Sequence, residues 1–480
     1  MGKILLINPS KWGRGITPIW IASHTSILRD SNHIVELFDS TFFQEWTDNE
    51  IKFNTANKQY RASDYENLIK FDQNDILDSL QKKIDNFQPD IIFWSAVSSH
   101  IHGEGEYVNI QYGYDLVSKI KSNSLLITGG IQATANPEKI LEEFKKIDFL
   151  IRGESELVLK EIANSIENKE MIKKVVGLAF KDKGGKIVIS KKQKIISDMD
   201  LIPNYDYSLF DDQIFLRSYN GEVLRAVDYE MSRGCIFTCS YCVETILQNY
   251  YTDNKKKRGV LQSPKKYLRN KSAKRIFDEI NDLNRKFQIK LFRCQDTNFL
   301  TIDRNVLIEL SDLIDSSNLD IMFYIETRPE GINEYTIQLL KKLKVDGVGM
   351  GIEIAAEGFR EESLNRYASH DKIVKAFQLL KDNNIKRTAY NIIGLPNQTE
   401  EMIKNTINYN RKLKPDNVTV AYYSPYYGTD EQKKSFEVGD FNNYEMNVDG
   451  QIRSVSKSSK ISIEKLDFYK KNFAKFVYEI

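Results

Sequence analysis

Short apolar runs alternate with longer amphipathic stretches along the first third of the chain. Such alternation is typical of a parallel sheet covered by helices on both faces. A later stretch, 177–190, predicts a β-hairpin that turns at Gly184 and Gly185, because glycine tolerates the positive φ of tight turns. The pattern predicts a doubly wound, Rossmann-like α/β domain over 1–195, whose strands lie at 3–8, 33–39, 90–96, 125–128 and 148–152.

A second alternating series predicts a partial (β/α)6 barrel over 225–427. The segment 196–224 has little helical or strand periodicity and is predicted to be a linker. After the barrel, residues 428–480 are predicted to form a C-terminal helical extension, because apolar residues recur at helical spacing near the end of this segment. The predicted barrel strands lie at 226–232, 290–295, 321–327, 347–354, 388–394 and 418–423.

Small and polar residues follow the predicted strands of the first domain. In open parallel sheets, ligands bind beyond the carboxyl ends of the strands, where small residues let a backbone come close to them. The sequence therefore predicts a site for a large flat ligand along this edge, lined by Asn8, Ser95, Gly129 with Gly130, and Gly153 with Glu154.

Charge and length restrict the classes of protein. With 480 residues the chain is too long for one ordinary core, and 68 lysines and arginines against 67 acidic residues leave a net charge of +1. This balance gives no reason to expect nucleic-acid binding. No apolar run is long enough to predict a membrane span, and the start lacks the pattern of a signal peptide. We expect a cytoplasmic protein.

Three of the four cysteines, Cys235, Cys239 and Cys242, lie close together after a predicted strand. In a reducing compartment such a group indicates metal ligation rather than disulfides. Three thiolates on a four-iron cluster leave one iron open to a ligand that is not protein. The alternative, a structural zinc site, needs a fourth ligand, and only Cys294 is available for that role.

The spacing Cys-x3-Cys-x-aromatic-Cys resembles the motif of the radical S-adenosylmethionine (SAM) superfamily. In that family the cysteines hold a [4Fe-4S] cluster, the open iron chelates SAM, and reductive cleavage yields a 5′-deoxyadenosyl radical. The resemblance covers about 225–427. It implies SAM contacts at further positions, namely Tyr241, Asp296, Thr297, Asn298, Glu353 and Gly394, although the Gly-Gly-Glu segment that is common in the family is absent here.

The first domain resembles the cobalamin-binding domain of one subclass of these enzymes. The resemblance rests on the order of four segments, at 5–9, 89–92, 128–134 and 152–156. It implies that Asn8, Ser95, Gly129, Gly130, Ala133, Thr134, Gly153 and Glu154 line the cofactor. The Asp-x-His-x-x-Gly motif that supplies a histidine below cobalt is absent, so we expect no such ligand. A cobalamin-type fold without its cofactor is the alternative.

These resemblances predict an enzyme that uses a [4Fe-4S] cluster, SAM and cobalamin and receives electrons from a flavodoxin- or ferredoxin-type donor. The leading hypothesis is methylation of an unactivated carbon of a small metabolite, sugar or lipid precursor. A second is cyclisation or rearrangement with the same cofactors. A third, from another class, is a non-catalytic Fe–S redox sensor. The sequence does not separate the first two.

Overall fold

The computed structural model describes residues 1–10, 17–46, 65–96, 106–252, 256–262, 264–423, 426–433 and 459–479. The chain forms two compact units. The first comprises Met1–Asn49, Asn67–Ile214 and Ile246–Asp253, and the second comprises Glu50–Glu66, Phe215–Thr245 and Asn254–Ile480. The division after Ile214 lies inside the segment predicted to be a linker.

The first unit contains a sheet of seven strands within the described residues, in the order β2-β1-β3-β4-β5-β6-β7. The first five strands along the chain pair in parallel, and the last two add antiparallel as the predicted hairpin. The strands are β1 (Lys3–Asn8), β2 (Ile34–Asp39), β3 (Ile91–Trp94), β4 (Leu125–Thr128), β5 (Phe149–Ile151), β6 (Leu178–Lys181) and β7 (Ile187–Ile189).

The interior strands of this sheet are mostly apolar because helices cover both faces. In β1, Leu5, Leu6 and Ile7 are fully buried, and in β3 all four residues are. The helices before residue 215 are Ile19–Asp30, Tyr65–Leu68, Ile76–Phe87, Glu106–Val117, Ile131–Ala135, Pro137–Glu143, Glu156–Asn164 and Lys169–Ile172, with 3-10 turns at Ser40–Phe42, Met199–Leu201 and Asp212–Phe215.

The second unit is built on a sheet of seven strands, counted over the described part of the chain, in the order β18-β17-β16-β15-β14-β9-β8. Six of them are parallel and consecutive in the sheet, which is the arrangement of a curled half-barrel. The sheet strands are β8 (Leu216–Tyr219), β9 (Glu222–Tyr229), β14 (Leu291–Cys294), β15 (Met322–Glu326), β16 (Val345–Glu353), β17 (Lys386–Ile393) and β18 (Asn417–Tyr422).

Two short antiparallel pairs accompany the half-barrel near the start of the second unit. They are β10 (Ser232–Arg233) with β13 (Arg269–Asn270), and β11 (Lys256–Lys257) with β12 (Val260–Leu261). The helices from residue 244 onward are Glu244–Tyr251, Ala273–Phe287, Arg304–Asp315, Glu334–Lys342, Glu357–Glu362, His370–Asp382, Glu400–Leu413 and Ile463–Tyr478, with 3-10 turns at Pro264–Lys266, Phe299–Thr301 and Pro329–Gly331.

Hydroxyl side chains mark where several of these helices begin. Ser272, Ser369, Thr399 and Ser462 each accept a hydrogen bond from a backbone N–H of the first helical turn. Each bond satisfies a donor that has no partner inside the helix. None of the helices in the described ranges is long and apolar enough to cross a membrane.

Four of the described strands, β8 and the short β11, β12 and β13, lie outside the predicted strands. β8 pairs antiparallel with β9 at the edge of the half-barrel, within the segment 196–224 that was predicted to be a linker. The turn between them places Asn220 and Gly221 at positive φ. An Asn-Gly turn between two β-rich runs is a hairpin signal in the sequence, and it was overlooked.

Candidate functional site

The three clustered cysteines follow β10 in a loop that ends at the helix beginning at Glu244. Cys235 and Cys239 are buried and Cys242 is partly exposed, and none forms a disulfide. The pKa of Cys235 is raised to about 12, mainly by burial and to a smaller extent by the Glu244 carboxylate and Cys239. Burial also raises the pKa of Cys242, and the other two thiols add to it. Thiolates in this loop therefore need a positively charged ligand to stabilise them.

Glu244 and Gly234 fix the start of the loop. The Glu244 Oε1 atom accepts hydrogen bonds from the Cys235 backbone N–H (3.0 Å) and from the Tyr267 hydroxyl (2.5 Å). Gly234 has a φ of +96°, and a Cβ atom there would lie 2.4 Å from the Tyr267 carbonyl oxygen. Only glycine fits this position without displacing backbone.

The fourth cysteine lies apart from this loop. Cys294 ends β14 and is fully buried. Burial raises the pKa of its thiol, and the carboxylates of Asp296 and Asp228 raise it further. Among the residues that the structure describes, no three His, Cys, Asp or Glu side chains are arranged to hold a single metal ion. The zinc alternative, which needs Cys294 as a fourth ligand, gains no support from this placement.

Arg328 contacts the cysteine loop from the carboxyl end of β15. Its Nη1 atom lies 3.5 Å from the Cys239 sulfur, and its guanidinium lies 3.8 Å from the centre of the Phe237 ring. Glu330 pairs with the same guanidinium at 2.5 Å. Arg328 is only 7% exposed, so this cation is held beside the thiols with little solvent around it.

Tyr241 and Glu353, both predicted SAM contacts, meet in the structure. The Tyr241 hydroxyl donates to Glu353 Oε1 at 2.9 Å, and burial followed by this carboxylate raises the pKa of Tyr241. Arg366 donates to the Gly351 carbonyl oxygen (2.6 Å) and lies 3.6 Å from Glu353. Glu353 has a φ of +60°, an uncommon conformation for a non-glycine residue.

Asp296 and Thr297 present buried oxygen atoms that have no hydrogen-bond partner. Asp296 Oδ1 accepts from the Met231 and Ser232 backbone N–H groups and from the Ser232 hydroxyl, whereas Asp296 Oδ2 and Thr297 Oγ1 accept nothing. Asp296 is fully buried, and burial raises its pKa to about 7. A buried acceptor without a donor is costly, so this position favours a ligand that carries N–H groups.

Asn298 and Gly394, also predicted SAM contacts, form bonds within the second unit. Asn298 Oδ1 accepts from the Thr327 hydroxyl (2.6 Å) and the Arg328 backbone N–H (3.4 Å), so it fixes the turn that carries Arg328. Gly394 has a φ of +83° after β17, and its N–H donates to Gln398 Oε1 at 2.7 Å.

Glycines line one face of β16, next to tyrosines of the neighbouring strands. A Cβ atom at Gly349 would lie 2.6 Å from the Tyr390 ring and 2.7 Å from the Tyr324 hydroxyl. The two tyrosine hydroxyls are 2.6 Å apart, and Tyr390 donates to Glu326 at 2.9 Å. The glycines thus make room for a hydrogen-bonded group of three side chains in the half-barrel.

In the first unit, the predicted residues at the ends of β1, β3 and β4 pack closely. The Asn8 side chain donates to Asp39 Oδ1 (2.8 Å). Ser95 has a φ of +59°, and its carbonyl oxygen accepts from the Gly129 N–H. A Cβ atom at Gly129 would lie 3.1 Å from the Ile151 carbonyl oxygen. Gly130 has a φ of +98° and precedes the helix Ile131–Ala135, in which Ala133 is fully buried.

Thr134, Gly153 and Glu154 form one connected group. The Thr134 hydroxyl donates to the Gly130 carbonyl oxygen and accepts from the Gly153 N–H, both at 2.8 Å. Glu154 is 3% exposed, and its carboxylate accepts from the Ile196 N–H. These contacts hold the ends of two strands together, so the Thr134 and Glu154 side chains bond within the protein rather than facing open solvent.

Histidines of the first unit that the structure describes are engaged through both ring nitrogens. His24 bonds the Trp20 carbonyl oxygen (2.6 Å) and the Ser155 hydroxyl (2.8 Å), and His33 bonds the Gly2 N–H and Asn164. His100 and His102 lie outside the described residues.

The comparison with protein families decides the assignment. The family model of the radical SAM superfamily matches residues 229–409, which include all three clustered cysteines and the ends of β14, β15, β16 and β17. Residues 229–409 are a radical SAM domain. The predicted resemblance to radical SAM enzymes that carry a cobalamin-binding domain is confirmed.

Curated relatives of this radical SAM protein extend beyond the matched domain. An anaerobic magnesium-protoporphyrin IX monomethyl ester cyclase from Rubrivivax gelatinosus is 27% identical over 80% of the chain and 66% of its own length. An uncharacterised methyltransferase from Pyrococcus horikoshii is 26% identical over 73% of the chain and 70% of its own length. The chain thus spans about two thirds of these relatives.

Two solved structures resemble this chain in fold. The methyltransferase TsrM from Kitasatospora setae, solved with tryptophan and a SAM analogue, superposes with a TM-score of 0.66 at 15% identity and covers 95% of this chain and 82% of its own. The cobalamin-dependent enzyme OxsB was solved with aqua-cobalamin and SAM. It matches with a TM-score of 0.58 at 15% identity, and the match covers 90% of this chain and 55% of the OxsB chain. The predicted fold class is confirmed.

Sequence reasoning missed Arg328 and Arg366 of the radical SAM domain. Both are buried, at 7% and 5% exposure, and both approach the residues predicted for the cofactors. Arg328 stands in the run Thr327-Arg328-Pro329-Glu330 directly after a predicted strand. An arginine at the end of an interior strand was a usable signal, because arginine is seldom buried without a partner.

Proposed function

We propose that this chain is a cobalamin-dependent radical SAM enzyme that methylates an unactivated carbon of a small metabolite, sugar or lipid precursor. The observation that carries the proposal is the set of three cysteines in a buried loop beside unpartnered buried acceptors, inside a domain of the radical SAM superfamily. The substrate class rests on the absence of any overall charge that would attract a nucleic acid.

In this proposal Cys235, Cys239 and Cys242 ligate a [4Fe-4S] cluster and leave one iron for SAM. The residues fit this group, because buried thiols that resist ionisation become thiolates when iron binds them. Bound together, the cluster and SAM supply hydrogen-atom abstraction, and cobalamin supplies the methyl group. A flavodoxin- or ferredoxin-type donor provides the electron.

The chain's own residues bind and orient SAM. The unpartnered Asp296 Oδ2 and Thr297 Oγ1 would accept hydrogen bonds from its amino group, which would satisfy both atoms. Glu353, held by Tyr241 and Arg366, would accept from a ribose hydroxyl. The backbone around Tyr241 and Gly394 would contact the adenine, and Asn298 orients the turn after β15.

Asn8, Ser95, Gly153 and Glu154 would line cobalamin at the carboxyl ends of the strands in the first unit. Gly129, Gly130, Ala133 and Thr134 would hold its nucleotide tail. A Cβ atom at Gly129 would lie 3.1 Å from the Ile151 carbonyl oxygen, so the ends of β4 and β5 approach each other closely there. His24 and His33 already use both ring nitrogens, so in our proposal neither ligates the cobalt.

Anaerobic reconstitution with iron, sulfide and hydroxocobalamin tests the proposal. We expect bound cobalamin, a SAM-responsive cluster, and formation of 5′-deoxyadenosine after reduction, with the last two lost in Cys239→Ala. Cys294→Ala is the matched control and keeps both. A cluster that never cleaves SAM would instead support a redox sensor, and a cluster without cobalamin would rule out methyl transfer by this route.

Cyclisation with the same cofactors is the second candidate, because the relatives include the cyclase from Rubrivivax gelatinosus. Product mass separates the two reactions. Methylation adds one carbon and two hydrogens, whereas an oxidative cyclisation only removes hydrogens. A candidate substrate that gains one methylene supports the leading proposal, and one that loses hydrogens supports the second.

A further inference from the structure

Arg328 places a fixed positive charge against the sulfur of Cys239. The guanidinium Nη1 atom and the Cys239 sulfur are 3.5 Å apart, within hydrogen-bond distance of a sulfur acceptor. The arginine is 7% exposed, so water screens its charge weakly. Arg328 has no role in the binding of SAM or cobalamin proposed above.

Three contacts hold the guanidinium in this position. Its plane covers the ring of Phe237, which stands between two of the cysteines in sequence, with 3.8 Å from the guanidinium carbon to the ring centre. Glu330 bonds its other edge through Nε and Nη2. Asn298 accepts from the Arg328 backbone N–H and so fixes the turn. The arginine is thus positioned before any ligand arrives.

A fixed charge beside a redox group shifts its reduction potential in a direction that electrostatics determines. One-electron reduction makes a thiolate-ligated cluster more negative by one charge, so a nearby cation stabilises the reduced state and raises the potential. A hydrogen bond to a ligand sulfur acts in the same direction. The Glu330 carboxylate beside Arg328 acts in the opposite direction.

We propose that Arg328 raises the reduction potential of the cluster held by Cys235, Cys239 and Cys242, and that Glu330 limits this effect. The inference rests on the proposed function, because it requires the cluster. In the step concerned, one electron passes from an external reductant to the cluster, and no covalent bond forms or breaks. The pair thereby determines which donors are strong enough to start the reaction.

The test is a redox titration of the reconstituted full-length protein without SAM, with dithionite and mediators, followed by the electron paramagnetic resonance signal of the reduced cluster. We expect Arg328→Gln to shift the midpoint to more negative values and Glu330→Gln to shift it to less negative values. Arg328→Lys retains the charge, so its midpoint potential should lie between those of Arg328→Gln and the wild type. Opposite shifts cannot come from a general loss of structure, which would move both variants alike.

Arg387→Gln is the matched control. Arg387, at the start of β17, is also 7% exposed, and its Nε atom lies 2.8 Å from the Asp416 carboxylate. The midpoint potential of the cluster in Arg387→Gln should equal that in the wild type. If all variants hold a cluster and both Arg328→Gln and Glu330→Gln keep the wild-type midpoint, the inference is wrong while the proposed function stands. If the wild type binds no cluster, the proposed function itself fails.

Discussion

Asp296 combines complete burial with one unpartnered oxygen, and this makes the cofactor-free protein sensitive to pH. Its pKa in the folded state is about 7, chiefly through burial, against an ordinary value of 3.8. A folded pKa above the unfolded one contributes stability that is present at low pH and lost as pH rises through 7. This group alone lowers the free energy of unfolding by about 1.4 kcal/mol per pH unit between those two values.

We therefore expect Asp296→Asn to flatten the fall in stability of the cofactor-free protein from pH 5 to pH 7. Urea unfolding at several pH values measures this. The same variant should bind SAM more weakly, because an amide NH₂ at the unpartnered position cannot accept a hydrogen bond from the SAM amino group. Asp303→Asn is the control, since Asp303 caps a helix away from these groups. If the free energy of unfolding of Asp296→Asn falls with pH as steeply as that of the wild type, the Asp296 carboxyl is not the source of the pH dependence.

Gly234 allows a second test at the scale of one residue. Gly234→Ala places a methyl group 2.4 Å from a backbone oxygen at a φ of +96°, so we expect a loss of roughly 2–4 kcal/mol in stability and a marked loss of bound iron. Gly185→Ala is matched in backbone conformation, with a φ of +80°, but nothing lies within 4 Å. It should cost only about 1 kcal/mol and leave iron content unchanged. Equal effects of the two substitutions would show that crowding at Gly234 is unimportant.

Among the elements, the short pair β10–β13 carries the cysteine loop and is supported by a buried ionic group. Directly after β13, the fully buried Lys271 Nζ lies 2.7 Å from Glu279, which also pairs with Arg275, and 4.4 Å from the centre of the Tyr229 ring. Removing one member of a buried ion pair commonly costs about 3–5 kcal/mol, and the remaining Arg275–Glu279 pair places the expected loss at the lower end of that range.

Lys271→Met should therefore lower the free energy of unfolding by that order and reduce iron loading as the loop loosens. Denaturant unfolding and iron analysis measure the two effects. Lys290→Met provides the control, because Lys290 pairs with Asp320 on the exposed surface, where ion pairs contribute little. If Lys271→Met were as stable as Lys290→Met, the ionic group would not support this pair of strands.

Element positions were predictable where local pattern and burial agree. β1 and β4 match the predicted runs residue for residue, because the centres of interior parallel strands are apolar. The contacts of Arg328, Arg366 and Glu353 were not predictable, since they join segments that are distant in sequence and depend on how the half-barrel curls. β8 was missed because an edge strand beside a tight turn has little periodicity of its own.

At the scale of the whole molecule, residues proposed for the two metal-containing cofactors belong to different units. Those for the cluster lie in Phe215–Thr245 and those for cobalamin lie in Met1–Asn49 and Asn67–Ile214. We expect loading to be separable, so the triple variant Cys235→Ala, Cys239→Ala, Cys242→Ala should lose iron and retain cobalamin. Iron analysis and the visible absorption of cobalamin report both, and cobalamin loss in a folded triple variant would contradict this separation.

The glycine face of β16 has a consequence for anyone who wishes to redesign the protein. Because Tyr219 and Tyr324 lie against Gly347, and Tyr324 and Tyr390 lie against Gly349, the interior space there is set by three aromatic rings. Shortening one ring enlarges the space without shifting a strand, whereas adding bulk on β16 displaces the rings. Substitutions meant to enlarge this space should therefore change the tyrosines and leave the glycines unchanged.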